Sequence, residues 1–117
     1  VAGLGTFIHH RPIDPQSILP EIKRRVTDGF HPQRIVLFGS RARGNYREDS
    51  DYDLLVIMPL ARPRKTLMAE IDQCLWGLRI ARDILVMSPE EFEQEKLICG
   101  TIAREAAKEG IILYDAA

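Results

Sequence analysis

The sequence has little cysteine, one tryptophan, almost no net charge and no long apolar run. Two cysteines, Cys74 and Cys99, do not make a disulfide framework, so a reducing compartment is expected, simplest the cytoplasm. The longest apolar stretch, Leu54–Leu60, is strand length. It falls far short of the ~20 residues a membrane span needs. Val1–Arg11 lacks the basic region and long apolar segment of a signal peptide. A net charge of −1 leaves no excess of cations to neutralise many phosphates, so stable nucleic-acid binding is not expected. The three histidines, His9, His10 and His31, have no zinc-like spacing with cysteine. Gly39-Ser-Arg-Ala-Arg-Gly44 lacks the Lys-Ser/Thr end of a Walker A loop, and no GxGxxG is present.

What is there is a globular composition, with 45% hydrophobic and 28% charged residues. A length of 117 residues predicts a single domain, 1–117, with one core. Val1–Asp14 reads as an irregular N-terminal arm. A helix is expected from Ser17 to Asp28, capped by Ser17 and stopped by Gly29. Ile35–Phe38 and Asp53–Met58 are continuous apolar runs, as in strands covered on both faces. Pro63 opens an amphipathic helix to Leu78, with Leu67, Ile71, Cys74 and Leu75 on one face. Asp83–Met87 is a third strand. Ser88-Pro-Glu-Glu91 is a capping box with proline at the first helical position. That helix breaks near Gly100 and resumes from Thr101 to Lys108, before a last strand, Ile111–Tyr114. The order predicts an α/β (α+β) fold, a mixed central sheet of about four strands flanked by helices. The short link between the first two strands leaves their relative direction open.

Gly39 and Ser40 end a buried strand. A residue without Cβ there lets backbone N–H groups approach a phosphate, and Ser40 adds a hydroxyl. Asp51 and Asp53 are two apart at a strand start, so their carboxylates point the same way. Two such charges ~4 Å apart repel by about 4 kcal/mol at an effective dielectric near 20. A divalent cation relieves that, and oxygen-only ligands suit Mg²⁺ or Mn²⁺. Asp83 also opens a buried strand. If that strand lies beside the Asp53 strand, three carboxylates converge and can serve metal-assisted phosphoryl or nucleotidyl transfer. The plainer alternative pairs Asp83 with Arg82 or Arg79. Twelve of the sixteen basic residues are arginine, which suits bidentate phosphate contact. Tyr46, in the polar loop between the two halves of the pattern, is a candidate to stack a base. Trp76 reads as half-buried helix packing, and Cys74 and Cys99 as packed thiols.

Gly39-Ser40, ten residues, then Asp51-x-Asp53 resembles the signature of the polymerase-β-like nucleotidyltransferase superfamily. The longer string Gly-Ser-Arg-Ala-Arg-Gly…Ser-Asp-Tyr-Asp-Leu-Leu-Val is similar to its minimal, MNT-type branch. The likeness extends over Ser17–Tyr114, including Asp83-Ile-Leu-Val and the closing Gly110–Tyr114 segment. It implies the palm fold of that superfamily. It also implies transfer of a nucleoside monophosphate from an NTP, with ATP the expected donor, to a hydroxyl, using two Mg²⁺. On the resemblance Gly39 and Ser40 hold the β/γ-phosphates, Asp51 and Asp53 ligate metal, and Asp83 is the third acid. Arg43 is a phosphate or structural contact. Minimal members resemble antitoxins paired with HEPN-family ribonuclease toxins, some of which adenylylate a toxin tyrosine. With no acceptor-binding module in the sequence, the acceptor is presented by a partner chain or bound in a cleft between protomers. A small-molecule acceptor such as an aminoglycoside, and an antitoxin acting by contact alone, stay open as alternatives.

Overall fold

The computed structural model describes residues 17–116, so the expected N-terminal arm lies outside the described residues. Helix α1 spans Leu19–Phe30. Ser17 Oγ accepts from the Leu19 N–H at 3.2 Å, and Pro20 sits harmlessly in the first turn. The helix does not stop at Gly29. It continues to Phe30, which packs against the core, and His31 takes the left-handed turn at φ 48° just before Pro32.

Strand β1 (Arg34–Phe38) is buried along its whole length. It leads through Gly39 into a single turn of helix, α2 (Ser40–Arg43). Strand β2 (Tyr52–Ile57) follows, then α3 (Arg64–Cys74) and β3 (Arg82–Met87). Helix α3 ends four residues short of the expected Leu78. The chain turns at Leu75–Gly77, and Gly77 takes φ 91°, but Leu75 still fills the core. Helix α4 (Pro89–Glu95) carries the capping box as expected: Ser88 Oγ accepts from the Glu91 N–H, and Glu91 accepts from the Ser88 N–H. Helix α5 (Ile102–Glu109), capped by Thr101, and strand β4 (Ile111–Asp115) complete the order.

The sheet is four-stranded and mixed, in the order β3-β2-β1-β4. The short α2 link makes β1 and β2 antiparallel, whereas the α3 crossover makes β2 and β3 parallel. Side chains alternate between two cores. Ile35, Leu37, Leu54, Val56, Ile84 and Val86 meet α1 and α3 on one face. Val36, Phe38, Leu55, Ile57 and Met87 meet α4 and α5 on the other. Burial on both faces explains why these strands read as unbroken apolar runs. Among the described residues, no helix is long and apolar enough to cross a membrane.

Candidate active site

The candidate residues collect at one end of the sheet. Asp53 lies opposite Phe38 on β1 and directly beside Asp83 on β3. In the β2–β3 register Asp53 and Asp83 are followed by the pairs Leu55–Leu85 and Ile57–Met87. Alternation therefore turns both carboxylates to the α4/α5 face. This settles the adjacency that the sequence left open. Arg82, one residue earlier, points to the opposite face and pairs with Asp72 at 2.8 Å, not with Asp83.

Gly39 closes the site from β1. It takes φ 75° and ψ −158°, a conformation nearly confined to glycine. A Cβ built there would overlap the Asp53 carboxylate. Ser40 follows at the head of α2. Three groups of carboxylate character act on Asp53, and burial acts more strongly than any of them. Its carboxyl is held above the ordinary range by desolvation, then by the charges of Asp83, Asp51 and Glu105, with Arg43 opposing. Asp51 and Asp83 themselves are exposed.

Among the described residues, no three His, Cys, Asp or Glu side chains are arranged as a ready metal cage. The three aspartates share an end of the sheet and feel one another, but they are not drawn together. Their chemistry nonetheless fits a hard divalent cation. The donors are all carboxylate oxygens, the innermost is destabilised as an anion, and the missing Cβ of Gly39 gives the Asp53 carboxylate its place.

Arg43 bridges α2 to α5 through Glu105 at 3.2 Å and Glu109 at 3.3 Å. A cleft of about 450 Å³ lies along this bridge, walled by Arg43, Thr101, Glu105 and Glu109. None of the three aspartates lines it.

Arg41 and Glu105 escaped the sequence reading. Arg41 lies over the Tyr52 ring, 4.0 Å from its centroid, and 4.7 Å from that of Tyr46. Tyr46, expected to await a base, is thus stacked on arginine. Position directly after Gly39-Ser40 was the only signal for Arg41, and for Glu105 there was none. Two expectations are corrected. Trp76 is 73% exposed, because α3 has already ended. Cys99 is exposed in the turn between α4 and α5, whereas Cys74 is partly covered and its thiol is pushed up by burial.

The model of the nucleotidyltransferase domain matches residues 17–113. No curated protein sequence matches the chain significantly. Among solved structures, the chain is similar to a mutant MntA–HpeT toxin–antitoxin complex, at 18% identity and a TM-score of 0.60, over 83% of this chain and 73% of that one. It is similar to a toxin–antitoxin structure with AMP-PNP, at 20% identity and a TM-score of 0.56, with the same coverage of 83% and 73%. A Sulfolobus solfataricus protein described as a nucleotidyltransferase aligns at 24% identity and a TM-score of 0.58, over 84% of this chain and 78% of that one. At these identities the neighbours establish a shared fold, and the domain match over most of the length establishes kinship. The chain belongs to the nucleotidyltransferase-domain family.

Proposed function

We propose that the chain transfers a nucleoside monophosphate, AMP from ATP, to a hydroxyl of a partner protein, and that it serves as antitoxin to a HEPN-type ribonuclease toxin. The observation that carries this reading is the pairing of Asp53 with Asp83 across parallel strands, with Gly39 pressed against Asp53. The toxin–antitoxin neighbours support the partner class, and AMP-PNP in one of them supports an adenine nucleotide.

Asp51, Asp53 and Asp83 would hold two Mg²⁺ ions, or Mn²⁺ in their place. The bound cations would neutralise charge on the triphosphate and lower the barrier to attack at its α-phosphorus. Gly39 and Ser40 receive the β/γ-phosphates. The acceptor oxygen bonds to the α-phosphorus as the bond from that phosphorus to the β-phosphate bridging oxygen breaks. Pyrophosphate leaves, and the hydroxyl proton passes to the Asp83 carboxylate. Arg43 exchanges its glutamate partners for phosphate in this reading. Residues 1–117 act as one domain, in the cytoplasm, with the acceptor supplied by a partner chain.

The test uses the chain with the proteins that co-purify from its host, Mg²⁺, and ATP labelled at the α-phosphate. Label on a partner protein, absent with Asp51→Asn/Asp53→Asn, is the expected result. Pyrophosphate release with no labelled macromolecule would instead assign a small acceptor. Protection from the toxin by the double variant, equal to the parent's, would sink catalysis as the mechanism.

A further inference from the structure

We propose that Arg41 is a positioning residue that locks the Asn45–Ser50 loop and so presents Asp51 beside Asp53. This rests on the proposed reading of the site as one for metal-dependent nucleotidyl transfer. Arg41 Nε donates to the Ser50 carbonyl at 2.9 Å. Its Nη2 donates to the carbonyls of Glu48 at 2.9 Å and Arg47 at 3.3 Å. The guanidinium also lies over the rings of Tyr52 and Tyr46. Asp51 is therefore held from both sides, by the carbonyl before it and the ring after it.

The loop has little else to order it. Residues 43–49 are exposed, and a local turn joins Arg47 and Ser50, in which the Arg47 N–H donates to Ser50 Oγ and the Ser50 N–H donates to the Arg47 carbonyl. Segments with few buried contacts open easily. Because Arg41 immediately follows Gly39-Ser40, one side chain ties the glycine turn at the end of β1 to the aspartate strand. Only a planar fork reaches three carbonyls while its face covers an aromatic ring. An ammonium has three donors on a single atom and no planar face, so it cannot span these carbonyls and cover the Tyr52 ring together.

The test compares the parent with Arg41→Lys, and with Tyr46→Leu as a milder variant at an exposed position. Two quantities are read: amide hydrogen exchange across residues 45–52 in the free protein, and Mn²⁺ affinity in the presence of AMP-PNP by electron paramagnetic resonance. In Arg41→Lys, exchange should quicken in that segment alone, and Mn²⁺ affinity should fall by about ten- to a hundredfold. Tyr46→Leu should move both quantities the same way by less. Parent-like exchange in residues 45–52 would overturn the proposal, as would faster exchange with unchanged Mn²⁺ affinity. If Arg41→Lys does not fold, Tyr46→Leu decides by the same two readings. A parent that binds no Mn²⁺ with nucleotide would sink the reading of the site itself. The exchange comparison would then still decide whether Arg41 orders the loop.

Discussion

Gly39 and Asp53 are packed so closely that a methyl group on residue 39 would overlap the Asp53 carboxylate. Gly39 also takes a backbone conformation that costs other residues about 1–3 kcal/mol. Gly39→Ala should therefore lose about 2 kcal/mol of stability and all measurable transfer. Thermal unfolding and pyrophosphate release check the two effects separately. A stable, active alanine variant would show that the turn relaxes without cost.

Asp53 is a liability to the free fold. Its carboxyl is raised by burial and by Asp83 and Asp51, so the folded chain binds its proton more tightly than the unfolded chain does. Stability from this group is present at low pH and is lost as pH rises from 3.8 through the higher folded value. Asp53→Asn should stabilise the protein by about 0.5 kcal/mol near neutral pH, with no difference well below the ordinary carboxylate value. Mn²⁺ should raise the melting temperature of the parent and not that of the variant. Denaturant titrations at several pH values, with and without Mn²⁺, measure both.

Arg43 is held by exposed carboxylates, Glu105 and Glu109. Such pairs contribute less than about 1 kcal/mol, so Glu105→Gln/Glu109→Gln should melt close to the parent. If the arginine turns to phosphate in the nucleotide complex, removing its competitors should lower KM for ATP severalfold, and Arg43→Ala should raise it. Steady-state kinetics on the two variants give the signs directly.

Ser88 and Glu91 close the head of α4, and Arg64 of α3 donates to Glu91 at 2.7 Å. Ser88→Ala should cost about 1 kcal/mol with transfer retained. The Arg64 hydrogen bond, then the Ser88 N–H, hold the Glu91 carboxyl below its ordinary value. Its contribution is present above 4.5 and is lost as pH falls through the lower folded value. Glu91→Gln should flatten that part of the acid-unfolding curve, which circular dichroism follows.

Much of the strand content was legible because β1, β2 and β3 are largely buried and β4 is apolar over Ile111–Tyr114, so all four read as apolar runs bounded by glycine, proline and aspartate. Gly39, Ser40, Asp51 and Asp53 stood out because two like charges side by side repel and because the glycine–serine pair precedes them at a fixed spacing. The register pairing of Asp53 with Asp83 was not legible. It depends on the parallel pairing of two segments whose aspartates are far apart in the chain, which no local pattern encodes. Arg41 was hidden for a related reason: its partners are mainly backbone carbonyls, and carbonyls leave no mark on a sequence. The end of α1 at His31 was decided by packing of Phe30 against the core rather than by the helix-stopping tendency of Gly29.

The α3 crossover has a consequence for synthesis. A ribosome releases Asp51 and Asp53 well before Asp83, and these acids become neighbours only after α3 folds back and β3 docks along β2. Non-local parallel pairing of this kind is slow to form. The nascent chain therefore keeps Asp83 apart from Asp51 and Asp53 until the crossover closes.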